Sequence, residues 1–537
     1  MAKPKTPNQK RKYGELNKRL AKYVMLVESI YEDLNLEAAK IVGITDFTID
    51  RPFMWSDYPQ TRKRIRDLQE RFVEDIGAVI YSGTSEEWKN SNEVQDLLAN
   101  KVLQTYGATI GKEKYEILYQ PNNDALKAFQ QRKDKGFTIS DKLWNQSTLY
   151  KQELEEAISC AIQKGTSAII LSKQISKYLL DFPQLQKDYK ERFGKASRAM
   201  DCEYRSIRLV ASEINMAYRQ AENLRWQQMD FVVGYEIKLS NNHTCNGKPF
   251  QDICDILAGK YPKDFQWTSW HPLCRCYKIP ILKTEEEFWE WDGRNEATTA
   301  SVNEVKDVPD AFKKWVLDNQ ERISTAKKRN TLPYFLRDNK SVYQKITVES
   351  SISEIVKRAS SVGDEVQSIA ERIAIKNGGY VTPINFKSTT SITRKVITEG
   401  ITPYDIKDAV RTTIIVPKSR IEDVLEELYK TEGFLRLKRQ KPESFMVYSG
   451  NIVNIRTTNG LTAEIQVNTE RMIFAKESPE DAKRILGKKR WEEIHNETGM
   501  EGGLGHKYYE QWRILDKSSN EALKIVEKSI EYYSHFR

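Results

Sequence analysis

From about residue 12 to 42, and again from 61 to 82, apolar residues recur every three to four positions among charged ones, as in "LAKYVMLVESIYEDL". A 3.6-residue period gathers such positions into one stripe, so both segments are predicted to be amphipathic helices. The same spacing predicts helix over roughly 85–105, 140–180 and 198–230, with breaks such as "QPNND" between them. At about 231 the pattern changes. "FVVGYEIKLS" alternates as a strand does, "NNHTCNGKPF" is rich in turn formers, and a small module closes near "YKIPIL". The polar, acidic stretch 283–309 suits a connector, and short helices are expected around "AFKKWVLDN" before residue 345.

A second pattern begins near 350. "ISEIVKRASSVGDEVQSIAERIAIKNGG" reads as a helix ended by a glycine pair. "RTTIIVP" (411–417) reads as a buried strand and "RIEDVLEELYKTEG" as a helix closed by Gly433. "NIVNIRTTNGLTAEIQV" reads as a hairpin turning at Asn459–Gly460, with helix again over 470–537. Four segments follow: a helical region 1–230, a small Cys/His α+β module 231–285, a linker with short helices 286–345, and an α+β mixed-sheet, nucleotidyltransferase-like domain 346–537. The fold class is multidomain and mainly α-helical in its N-terminal region.

A chain of 537 residues exceeds what one core supports, which agrees with that division. It is 39% hydrophobic and 30% charged with a mean hydropathy of −0.65, and it lacks the run of about 18 apolar residues that a membrane helix needs. Its first twenty residues are basic without the apolar stretch of a secretory signal, so export by the usual route is not expected. The net charge of +9 favours anionic partners and is concentrated in that N-terminus and in "LRLKRQK" at 435–441.

Of six cysteines, four fall in the small module: Cys245, Cys254, then Cys274 and Cys276 after His271 in "HPLCRC". Thiolates with one imidazole are the ligands tetrahedral zinc prefers, and a loop-rich module gains folding energy from a metal. Reduced cysteines packing a small core, or a redox thiol, are the other readings of this spacing. "ASEINMAYRQAENLRW", "TCNGKPF" and "HPLCRC" together resemble the Mu F-like minor head (head morphogenesis) proteins of tailed phages over about 1–285. That resemblance implies association with portal and capsid proteins, packaged DNA within reach of the basic N-terminus, and residence in the virion and then the host cytoplasm.

The strand "LTAEIQVNT" (461–469) puts Thr462, Glu464, Gln466 and Asn468 on one face and Ala463, Ile465 and Val467 on the other. A strand-borne carboxylate paired with an acid from a neighbouring strand is how pyrophosphoryl-transfer enzymes hold magnesium against a triphosphate. Asp408, just ahead of "RTTIIVP", or Asp405 is the second acid. Lys387, Ser391, Arg394 and Lys395 supply cations and a hydroxyl within nine residues, suited to phosphate oxygens.

"VTPINFKSTTSITRKV", "DIKDAVRTTIIV", "VYSGNIVNIRTTNGLTAEIQVNT" and "GLGHKYYEQWR" together resemble the synthetase domain of the RelA/SpoT family, above all its toxin-like branch, over about 350–520. The resemblance implies transfer of pyrophosphate from ATP to a ribose 3′-hydroxyl. Lys387, Arg394 and Lys395 would contact the ATP phosphates with Ser391 in support. Asp408 and Glu464 would hold Mg2+, Arg411 would be the cation beside them, and Gln466 would position groups near the metal. Tyr448 would stack on the acceptor base, Asn454 and His506 would serve acceptor contact and site support, and Lys476 would add an anionic contact. GDP or GTP, an adenine nucleotide, or the 3′ end of tRNA are the acceptors, and an antitoxin or immunity protein is the implied partner. Asn385 stands where many members carry Arg, which removes one expected ATP contact. Two other classes compete: a structural head protein whose C-terminal fold does not turn over substrate, and a nucleic-acid-binding protein built on a zinc module.

Overall fold

The computed structural model describes residues 5–107, 116–163, 166–240, 244–245, 248–249, 251–290, 300–439 and 450–537, with backbone alone at 244–245, 248–249, 289–290 and 513. The chain forms two compact units, 1–343 and 344–537.

In the first unit, helices Gln9–Val42, Arg62–Tyr106, Ile139–Ala161, Ala168–Leu180 and Cys202–Gln228 share one core. Leu16, Leu34, Phe72, Ile80, Leu154 and Ile214 are buried there. The two helices expected over 61–82 and 85–105 are one 45-residue helix. Gly83, between those two ranges, is a point of close packing: a Cβ there would clash with Ile214 Cδ1 of helix Cys202–Gln228. Gly83→Val is therefore expected to lower this unit's stability by about 1–3 kcal/mol through overpacking, read as a lower urea midpoint with an unchanged slope.

The small module carries β1 (Val232–Lys238), β2 (Thr244–Cys245), β3 (Lys248–Pro249), β4 (Gly259–Tyr261) and β5 (Tyr277–Leu282). Antiparallel pairing gives a three-stranded sheet ordered β4-β1-β5, and β2 pairs with β3. The stretch expected to be a connector is partly core. The Val305 N–H donates to the Val233 carbonyl at 3.2 Å. Short helices Asp310–Asp318 and Tyr334–Arg337 bury Phe312 and Phe335 against Phe265 and Trp270, with ring centroids 5.4 and 5.1 Å apart. Four apolar side chains, Phe312, Val316, Phe335 and Leu336, outweigh the polar composition around them.

The second unit is a mixed sheet of β6 (Tyr380–Val381), β7 (Asn385–Phe386), β8 (Val410–Ile415), β9 (Phe434–Arg439), β10 (Asn451–Arg456) and β11 (Thr462–Asn468). The order is β6-β8-β11-β10-β9, with β7 also on β8; β8 and β11 run parallel and every other pair antiparallel. One face is apolar: Val410, Ile414, Val453, Ile455, Ala463, Ile465 and Val467 pack on Ile355, Ala370, Ile392 and Leu425 from the helices above. The β10–β11 hairpin turns at Asn459–Gly460, where Gly460 takes φ +80° and only glycine does so without strain. The single helix expected over 352–379 is two, Lys340–Ser361 and Gly363–Lys376, interrupted at Val362. Gly363 lies against Phe386, whose ring would be 2.6 Å from a Cβ there. The basic stretch 435–441 contributes to edge strand β9 through residue 439, and 440–441 lie outside the described residues. Helices Glu470–Lys476, Pro479–Leu486, Lys488–Thr498, Leu504–Arg513 and Asn520–Ser534 complete the unit around Phe474, Ile494 and Tyr532.

Candidate active site

Because Ala463, Ile465 and Val467 face the helices, Glu464 and Gln466 stand on the sheet's opposite side. Register then fixes their neighbours. Asn385, Arg411, Glu464, Asn454 and Arg436 align across β7, β8, β11, β10 and β9 as one polar row. Residues paired across strands share a face, so this row is continuous.

Glu464 is half-buried and held from one side: Gln466 Nε2 donates to its Oε1 at 2.7 Å. The Gln466 Oε1 in turn accepts from Lys476 Nζ at 2.8 Å. A lysine ammonium only donates, so it fixes which way the amide points and hence what Glu464 receives. Lys476 also meets Glu477 at 3.0 Å.

Asn454 is buried, and its amide is committed to protein partners. Its Oδ1 accepts from Arg436 Nε at 2.7 Å, and its Nδ2 donates to the carbonyls of Lys407 and Ala463, both at 3.3 Å. The Lys407 contact ties the loop before β8 to the hairpin that carries Glu464. Asp408 is the next residue along that loop. Lys387 Nζ lies 2.5 Å from its Oδ2 and Lys395 Nζ 3.0 Å from its Oδ1. Burial pushes the Asp408 carboxyl up, but the two ammoniums outweigh it and hold it below the usual carboxylate range. Asp408 is thus ionised at neutral pH. Lys395 reaches it from helix Thr389–Glu399, and the Lys387 N–H is held by the Ala409 carbonyl at 2.9 Å.

The other expected residues are placed as follows. Ser391 sits in the first turn of helix Thr389–Glu399, its N–H donating to Ser388 Oγ at 3.2 Å. Arg394 and Arg411 are exposed. His506 lies on helix Leu504–Arg513, 60% exposed and 4.0 Å from Glu510; no described hydrogen bond or ion pair joins it to the strand residues. Tyr448 lies outside the described residues. Asp405 caps a turn, accepting from Thr402 N at 3.0 Å. Sequence reasoning missed Arg436 and the Lys407 carbonyl; Arg436 was legible only once "LRLKRQK" was known to pair with β10. A cavity of about 650 Å³ lies at the carboxyl ends of β8 and β11, lined in part by Tyr380, Ile415, Lys418, Asn468 and Arg490, away from Glu464.

Asn454→Ala removes the tie between the Asp408 loop and β10. If the polar row is catalytic, steady-state assays are expected to show kcat falling on the order of 10²-fold with KM for ATP nearly unchanged, since small misplacement is enough.

No protein-family model matches this chain. Over 181 residues, 34% of its length, it is 36% identical to the (p)ppApp synthetase toxin Tas1 of Pseudomonas aeruginosa (strain UCBPP-PA14). The chain spans 41% of the length of that curated relative. Among solved structures, the chain is similar to the Type VI effector Tas1 in complex with its immunity protein: 36% identity, TM-score 0.33, covering 35% of this chain and 97% of that one. It is also similar to the small alarmone synthetase 1 from Bacillus subtilis: 16% identity, TM-score 0.22, covering 34% and 91%. No described helix is long and apolar enough to cross a membrane.

Proposed function

We propose that the 344–537 unit is a pyrophosphokinase effector that moves the β,γ-pyrophosphate of ATP to the ribose 3′-hydroxyl of an adenine nucleotide, with AMP as the leaving group. The observation that carries this reading is the Lys387–Asp408–Lys395 cluster, tied through Asn454 to the row holding Glu464. The name of the Tas1 relative, a (p)ppApp synthetase, supports the adenine acceptor over GDP, GTP or tRNA.

Triphosphate oxygens compete with Asp408 for the Lys387 and Lys395 ammoniums, while Ser391 and Arg394 stand on the adjoining helix to take further phosphate contacts. Two carboxylates offer the hard oxygen donors that Mg2+ prefers, so Asp408 and Glu464 would hold it. When bound, the ion lowers the cost of bringing a hydroxyl to a polyphosphate. Gln466 and Lys476 keep Glu464 oriented, Glu464 takes the 3′-hydroxyl proton, and Arg411 offsets the charge that develops. Incubation of the purified chain with γ-labelled ATP, Mg2+ and a panel of acceptors is expected to label an adenine nucleotide. Label on another acceptor corrects the substrate, and no labelled product with any acceptor favours a non-catalytic, structural domain.

For residues 1–285 the proposal is a minor head protein associated with portal and capsid, carried in the virion and delivered to the host cytoplasm. Its support is the "HPLCRC" and "TCNGKPF" resemblance. An immunity protein is the partner proposed for the effector unit, since the Tas1 relative is crystallised with one. Mass spectrometry of purified particles, scored for this chain beside the portal protein, tests the head assignment.

A further inference from the structure

We propose that Cys254, His271, Cys274 and Cys276 form a zinc site that fastens the small module of the first unit. Cys254 lies on the short helix Ile253–Leu257, and the other three lie on the loop that leads into β5, so a shared ion would join two separate segments of the module. The proposal is independent of the chemistry assigned to the second unit.

The ligand atoms of Cys254, His271 and Cys274 all lie within 4.8 Å of one another. Cys254 Sγ is 3.8 Å from Cys274 Sγ and 3.1 Å from His271 Nε2. Bonds of about 2.3 Å to a tetrahedral zinc separate two sulfurs by about 3.8 Å, so the thiols already stand at the spacing of ligands. Cys276 is buried two residues further along the same loop, outside that three-atom group, and is the fourth ligand that metal binding would draw in. All three thiols are free, at 2%, 0% and 1% exposure.

The imidazole gives a second, separate indication. His271 Nδ1 is 2.7 Å from the Pro272 carbonyl oxygen, which can only accept, so Nδ1 carries the proton. In the neutral ring Nε2 is then a lone pair, and it faces the Cys254 sulfur and, at 3.3 Å, a carboxylate oxygen of Asp252. A zinc ion would take the place that a proton holds between Nε2 and these groups, and a backbone carbonyl on the far nitrogen is the usual support of a metal-bound histidine. The loop is also braced from behind. Arg219 donates to the carbonyls of Cys274 at 2.9 Å and Cys276 at 2.7 Å, and Asn215 Nδ2 donates to Cys274 O at 2.9 Å. A guanidinium at that position offsets the net negative charge of three thiolates and one imidazole around a divalent ion.

The test is metal content of the purified full chain by plasma mass spectrometry after passage over a chelating resin. One zinc per chain is expected, falling below a tenth in Cys254→Ser and Cys274→Ser and unchanged in Cys160→Ser. Because a serine variant can fail to fold, wild-type protein exchanged with Co2+ is read in parallel. Thiolate-to-cobalt charge transfer with the d–d bands of a tetrahedral site supports the assignment. Folded wild type without stoichiometric metal overturns it, as does cobalt protein without those bands, zinc retained by Cys254→Ser, or zinc lost from Cys160→Ser.

Discussion

Glu464→Gln is expected to reduce pyrophosphoryl transfer by on the order of 10³-fold or more in kcat, because it removes a preorganised charge from the reacting centre. The substitution is nearly isosteric, and the new amide oxygen can still accept from Gln466 Nε2 where the carboxylate accepted at 2.7 Å. The side chain is only half-buried, so stability is expected to stay within about 0.5 kcal/mol of wild type. Activity and fold therefore separate cleanly at this position. Asp408→Asn is the harder variant to read. It leaves Lys387 and Lys395, at 2.5 and 3.0 Å, facing an uncharged amide, so lost turnover would be mixed with lost ion pairing. Initial rates with saturating ATP and acceptor decide the matter, with thermal unfolding as the control. A folded Glu464→Gln protein that keeps a tenth of the wild-type rate would remove this carboxylate from the mechanism.

The polar face that holds Glu464 was legible because a strand's period of two needs no tertiary information. Alternation over 461–469 separated Glu464 and Gln466 from Ile465 and Val467, and the Asn459–Gly460 turn set the hairpin register. What the sequence withheld was decided by packing between distant segments. Residues 61–82 and 85–105 look like two helices until Gly83 is found packed on Ile214, and the interruption at Val362 brings Gly363 against Phe386 from a strand 23 residues away in sequence. The acidic stretch before residue 310 looked unstructured, yet Phe312 and Phe335 draw its continuation into a core. The same limit applies to the site. Local density put Lys387 and Lys395 near one another, but only the folded chain has both ammoniums on Asp408. Nothing in the pattern could reveal that Asn454 reaches back to the Lys407 carbonyl, since a hydrogen bond to backbone leaves no signature at the accepting residue.

Glu222→Gln is expected to cost the first unit about 1–3 kcal/mol, because burial already lowers the Lys278 pKa to about 8 and Glu222 is the group that keeps the ammonium charged. Lys278 and Glu222 are both fully buried, with Nζ 3.2 Å from Oε2. Tyr13 also donates to that oxygen at 2.6 Å, and Asn223 Oδ1 accepts from Lys278. The ammonium lies 4.6 Å from the Trp226 ring and 5.1 Å from the Tyr235 ring, contacts that soften its desolvation without replacing a counter-charge. Glutamine keeps the shape and the Tyr13 bond, so the loss isolates charge from packing. Adding Lys278→Met should recover most of it, because the long apolar side chain fills similar volume and no unpaired charge remains. The double-mutant cycle, read by urea unfolding of the full chain with a probe confined to the first unit, measures the coupling directly. If Glu222→Gln alone costs less than about 1 kcal/mol, the lysine is reaching solvent or shedding its proton, and the pair does not hold this core together.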